Sequence, residues 1–297
     1  MRFRKFFFAI IFLIILLSII FVFNNSRVSD SNPQTGNQSM LSAIELDDFK
    51  KRTIEKTASI ERYYQDTELF YEYSDINNGI HGKKSLGMVM TAKVDVSNKT
   101  LWATINSTLD EGDKPVDIEV EMYSKGDDLY IDMQTDGESP GWFRSKQIIT
   151  SWNKLVSFEN ILTVMEEEAV LSSRSEVYNG NNCYVLVIPV KDIYTIYRTL
   201  KNSYGLENQF RYTFELIQSF SDQFVFEIWI ERDSLFIIKT VVRMDVEVTP
   251  ERVTGMKADS ATYSLRMMTD NYNINQFFNI ELPEELDDAP MIYTINE

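Results

Sequence analysis

Of the side chains that most often act as nucleophiles, bases or soft metal ligands, this chain has one histidine, His81, and one cysteine, Cys183. A zinc centre gathers several such ligands, so one of each leaves only a hard, oxygen-liganded metal open. Asp127 with Asp128, and the run Glu166, Glu167 and Glu168, supply carboxylates, but none sits in a loop with EF-hand spacing, and surface charge explains them. Asp245 and Glu247 are two apart in an alternating stretch, which points both out of one sheet face instead of converging them in a cleft as glycoside hydrolysis requires. His81 lies beside Gly82 in a polar stretch and reads as a solvated residue, while Cys183 opens an apolar run and reads as a small buried hydrophobe. Walker A, Rossmann and zincin patterns are absent. The sequence therefore assigns no catalytic residue, no metal ligand and no cofactor, and an enzyme is not expected.

What remains is binding, and the candidates are apolar residues in strict alternation. Met88 and Met90, then Ile105, then Ile118, Val120 and Met122, then Phe226 and Ile228, then Ile238, Val242 and Met244 each fall on one side of an alternating run. Flexible thioethers among them suit a pocket that adapts to varied hydrophobic chains, although a solid core would need the same alternation.

These residues must be positioned by strands. Apolar and polar residues alternate over 86–97, 101–109, 116–123 and 129–133, with the tight turn Lys125, Gly126 and Asp127 between the last two, and predict an antiparallel meander. Gly137 to Gly141 reads as a turn, and Trp142 with Phe143 resumes order. Further strands are expected over 183–188, 224–231, 236–248 and 261–267. Helical spacing is expected over 41–64, 145–172 and 191–220, with only a short strand around Tyr71 and Tyr73. The expected fold class is α+β: a long, strongly curved antiparallel sheet, a half-open barrel, with helices covering its concave face.

Outside that unit, Arg2, Arg4 and Lys5 precede an apolar run from Phe6 to Phe23 broken only by Ser18, which reads as an uncleaved transmembrane signal anchor. The expected organisation is an anchor over 1–24, a flexible linker rich in Asn, Ser and Gln over 25–40, and an extracytoplasmic domain over 41–297. The implied location is the cell membrane, single-pass, with the N-terminus cytoplasmic. The chain carries 45 acidic against 29 basic residues, a net charge of −16. Such a surface repels phosphate backbones, so nucleic acid is not an expected partner.

The order of elements resembles the lipoprotein-carrier superfamily that includes LolA, LolB, RseB and the LppX-type mycobacterial lipoproteins, and especially a group of bacterial surface lipoproteins with Met-rich strands. The residues that carry the likeness are the run Val120 to Ile131 followed by Trp142, the hairpin Phe226 to Asp233, and the terminal Tyr272 to Ile274, Ile280 to Leu286 and Ala289. The resemblance implies a half-open barrel with an apolar cavity for acyl chains, and hence a membrane-anchored binding protein for a lipid or other hydrophobic ligand. The lipobox cysteine of that group is missing, since the one cysteine lies at position 183. The other expected class is a structural or sensory envelope ectodomain that contacts another envelope protein through a sheet edge or an aromatic patch.

Overall fold

A computed structural model describes residues 43–77, 80–110, 114–126, 128–146, 170–188, 224–249 and 260–291. The described chain begins with one helix, α1 (Ala43–Ala58). Eleven strands follow: β1 (Arg62–Asn77), β2 (Ile80–Asp95), β3 (Thr100–Asp110), β4 (Val116–Lys125), β5 (Asp128–Thr135), β6 (Phe143–Lys146), β7 (Val170–Tyr178), β8 (Asn181–Ile188), β9 (Phe224–Glu231), β10 (Ile237–Val248) and β11 (Ser260–Tyr272). They form one open sheet in the order β6-β5-β4-β3-β2-β1-β11-β10-β9-β8-β7. Strands adjacent in sequence are neighbours in the sheet except β6 and β7, which stand at its two ends, and β1 lies beside β11.

This corrects the expected α+β half-open barrel. The described residues are nearly all strand, with one helix and no layer of helices over a concave face. The expected helical stretches 145–172 and 191–220 fall largely outside the described residues, and where their ends are described, in β6 and β7, the backbone is extended. The reading over 41–64 overran its helix. Ser59 and Ile60 close α1 through backbone bonds to the Lys56 and Thr57 carbonyls, and the chain is extended from Arg62. Tyr63 and Tyr64, placed on a helix by their spacing, instead open a strand of 16 residues.

The expectation of a transmembrane anchor is corrected as well. Among the described residues no helix is long and apolar enough to cross a membrane. A span needs about 20 apolar residues, whereas α1 has 16 and carries acids and bases along its length. Residues 1–24 lie outside the described residues. Attachment through an N-terminal helix and the single-pass membrane location are accordingly not part of the account that follows.

By packing, the chain divides into two compact units. The described part of one comprises α1, β7, β8, β9, β10 as far as Val242, and Thr269–Tyr272. Within it, Cys183, Val185, Trp229 and Ile238 form a buried cluster against Tyr178. Residues Phe226 to Ile230 of β9 are all buried, so both faces of that strand are covered. Helix α1 buries Phe49, Thr53 and Thr57, spaced four apart on one stripe, and Phe49 meets Tyr184 edge-on at 4.9 Å. The hairpin between β7 and β8 turns on Asn179 and Gly180, both at positive φ (58° and 78°), the two-residue turn whose twist matches that of the strands.

The described part of the other unit holds β1 to β6, Arg243–Thr249, Ser260–Met268 and the residues from Asn273 to Met291. Its five long strands stay in unbroken register, so whole rows of side chains share a face. One face is apolar. The opposite face carries the aromatic row Tyr64, Lys93, Trp102, Tyr123, Tyr130 and Arg144, each the cross-strand partner of the next. The chain after β11 packs on that row: Leu286 is buried against Tyr123 and Tyr130, with Ile280, Leu282 and Ala289 beside them.

Candidate functional site

The apolar face of the second unit is built from parallel rows across its strands. One row reads Thr67, Met90, Ile105, Val120 and Met133; the next toward the β2–β3 turn reads Gln65, Ala92, Ala103, Met122, Ile131 and Phe143. On the other side lies Leu69, Met88, Ser107, Ile118 and Thr135. Six of the sequence-selected residues, Met88, Met90, Ile105, Ile118, Val120 and Met122, are thus brought onto one continuous surface.

Along every row the cover thins toward β5. Met88, Met90 and Ile105 are buried, Met122 is at the edge of burial, Ile118 and Val120 are half-buried, and Met133 is 50% exposed. Leu129, Ile131 and Phe143 on the same face are half-buried too. Apolar surface is therefore left open over β4, β5 and β6. The sequence reading omitted Leu129, Ile131, Met133 and Phe143 from the candidate set, although the alternation in 129–133 was visible. β6 has only four residues, too few to show a period.

The other selected residues lie elsewhere. Phe226, Ile228, Ile238 and Val242 belong to the first unit and are buried, Ile238 inside the Trp229 cluster. Cross-strand partners pair Ile228 with Leu186, on the side of β9 opposite Trp229. Met244 is half-buried within the second unit.

Across the rows from Tyr63 to Tyr71, the charged side chains of the described residues lie on the opposite face. Glu121 Oε1 accepts hydrogen bonds from Trp102 Nε1 (2.9 Å) and from the Tyr123 hydroxyl (3.0 Å). Burial, and next the Glu121 carboxylate, push the Tyr123 phenol up to about 12. At the β2–β3 turn, burial raises Asp95. Bonds from Ser97, the Asn98 N–H, Arg62 and the Asn98 amide outweigh that, and its carboxyl falls below the ordinary value. The Arg62 Nε donor stands 2.6 Å from Asp95 Oδ2.

No catalytic grouping emerges among the described residues. His81 is exposed near the β1–β2 turn. Cys183 is fully buried, and burial lifts its thiol to about 11, far from a reactive thiolate. Asp245 and Glu247 are exposed, as their alternation implies. The turn Gly137 to Gly141 spells G-x-S-x-G, a pattern that the sequence reading counted as absent. A nucleophile elbow joins a strand to a helix, whereas this turn leads through Trp142 into strand β6. Ser139 donates to Asp132 and accepts from the Gly141 N–H, with no imidazole in the contact. No group of three or more His, Cys, Asp or Glu among the described residues could hold a metal ion.

No protein-family model matches the chain, and no curated protein does. Among solved structures it is similar to a DUF1329 family protein from Desulfovibrio piger at 12% identity, over 80% of this chain and 95% of that one, with a TM-score of 0.23. It is also similar to a beta-barrel-like protein of the domain of unknown function DUF1849 from Brucella abortus, at 10% identity over 72% and 100%, with a TM-score of 0.25. Superpositions this loose leave the function to be argued from the chain's own surface.

Proposed function

We propose that this protein is a non-catalytic binding protein that holds a lipid or similar hydrophobic ligand on the open part of its apolar face, over β4, β5 and β6. The observation that carries the reading is the graded cover of one continuous surface: the same rows that are buried at Met90 and Ile105 emerge half-covered at Val120 and exposed at Met133. A contiguous apolar area left open on a chain this acidic marks a contact site. The resemblance of the sequence to lipoprotein carriers points the same way.

Binding needs no covalent step. Ligand surface leaves water at about 25 cal/mol per Å², or about 0.8 kcal/mol for each fully buried methylene. A tail lying on a face buries about half of itself, so sixteen carbons would gain roughly 6 kcal/mol before the costs of association, which sets an upper limit of tens of micromolar on the affinity. Native mass spectrometry of the purified chain after incubation with a total lipid extract tests the reading. Retained lipophile together with uptake of the neutral probe N-phenyl-1-naphthylamine is expected. Absence of both sinks it.

A second reading, contact with another protein, is favoured by Phe70 and Val89, which stand 44% and 51% exposed on the charged face of β1 and β2. Under it, Phe70→Ser would weaken a partner interaction while leaving probe uptake intact.

A further inference from the structure

On the charged face of the second unit an exposed apolar pair sits among carboxylates, which narrows the second reading just given, on which this inference rests. Two neighbouring rows run Glu68, Val89, Asn106, Glu119 and Gln134, and Phe70, Gly87, Thr108 and Asp117. Phe70 and Val89 are 44% and 51% exposed. A methyl group on Gly87, the cross-strand partner of Phe70, would touch nothing, so the ring stands beside open space. Glu68, Asp117 and Glu119 are exposed around the pair. Thr108 donates to Asp117 at 2.7 Å, but no hydrogen bond or ion pair among the described residues holds Glu68 or Glu119. The next row sets Glu121 directly opposite Asp132, a like-charge pairing that is unfavourable in a sheet. Bases stand at the margin. Lys83 is held by Glu72 at 2.8 Å, Lys93 lies over Tyr64 and Trp102, and Arg266 shares the face of Thr262, whose hydroxyl meets that of Ser74.

Covering the apolar pair is favourable, and the surrounding charge decides what covers it. A second copy of the chain docked about a two-fold axis would bring the same carboxylates of both copies together. An anionic membrane surface is repelled for the same reason. A cationic segment gains on both counts: its bases meet the carboxylates while its apolar side chains cover Phe70 and Val89. The spacing sets a pattern. Glu68 and Glu119 share a row across three strand separations, about 14 Å, which an extended chain crosses in about four residues. Basic residues at i and i+4, with an apolar residue between them on the same side, match that row. We propose that this face docks an extended, basic segment of a protein partner, with Glu68 and Glu119 taking two cations and Phe70 and Val89 taking the apolar anchor between them.

The test is fluorescence anisotropy of labelled peptides with the full-length chain at pH 8 and low ionic strength. One peptide is built on Arg-Ser-Leu-Ser-Arg, a second has glutamine for both arginines, and a third has serine for the leucine. The arginine peptide is expected to bind about tenfold more tightly than either counterpart, and to weaken steeply with added salt. Glu68→Gln combined with Glu119→Gln is expected to lower its affinity about tenfold, and Phe70→Ser to do the same. Glu284→Gln combined with Glu285→Gln removes as much charge from exposed positions in the C-terminal segment and is expected to leave binding unchanged. Equal binding of the glutamine peptide, still weakened by Phe70→Ser, overturns the selection for cations while contact through this face stands. An equal loss in the Glu284 and Glu285 variant assigns the effect to net charge and overturns the site. A dimer that Phe70→Ser dissociates makes a second copy the occupant and overturns the proposal, as does failure of every peptide to bind. If a peptide binds and Phe70→Ser leaves its affinity unchanged, the contact reading fails and this inference with it.

Discussion

Asp95 shows how single residues hold the frame of the site. Its carboxylate, 4% exposed, takes hydrogen bonds from Arg62, Ser97 and Asn98 and so locks the β2–β3 turn, where Lys99 adopts a φ of 54°. Because its folded pKa lies below the unfolded value, the stability it contributes is present above about pH 4 and is lost as pH falls through the lowered folded value. Asp95→Asn should cost about 1–3 kcal/mol at pH 7. Urea unfolding should show the gap to wild type shrinking at pH 3, and a gap independent of pH would contradict the role given to the charge. Cys183 makes the opposite case. With a buried thiol raised to about 11, it should react with Ellman's reagent at pH 8 only slowly in the native protein and rapidly in urea. Fast native labelling would show that the Trp229 cluster is open.

At the scale of elements, the contrast along one row gives paired expectations. Met90, 1% exposed, should lose about 2–5 kcal/mol on substitution by alanine, whereas Met133→Lys should change stability by about 0.5 kcal/mol or less yet weaken binding of a long neutral lipid. Thermal unfolding and probe titration of the two variants separate a core position from a site position, and a large loss of stability in Met133→Lys would place Met133 in the core. Leu286→Ala, which empties the contact with Tyr123 and Tyr130, should cost about 2–4 kcal/mol and leave binding on the other face unchanged. The meander from β2 to β5 was legible because Val116 to Met122 alternates without exception and the turns at 98–99 and 125–127 are short. β1 was mostly hidden because two of its inward positions, Gln65 and Thr67, are polar yet fully buried, which breaks the hydrophobic period that marks a strand. β7 escaped for a similar reason: serines at 172, 173 and 175 interrupt its apolar residues, and its register shifts between Ser172 and Ser175.

For the whole molecule, alternation told which side chains share a face but not what lies over that face. Six of the eleven selected residues gather on one surface in the second unit, four sit buried in the first, and Met244 stands apart from the patch; period-2 patterning is identical for a filled core and an open one. The helical cover was inferred from spacing in 145–172 and 191–220, and the described fold has instead a single helix beside eleven strands. A sheet that long satisfies its backbone polar groups strand against strand, so the remaining question is which apolar area stays unpaired. The measurement that bears on it most directly is photo-crosslinking of the full-length chain with a diazirine-bearing monoacylglycerol, followed by peptide mapping. The account places the label in peptides covering 116–135 and 143–146, competed away by excess unlabelled monoacylglycerol. Label confined to the charged face, or spread over the chain without competition, would contradict it.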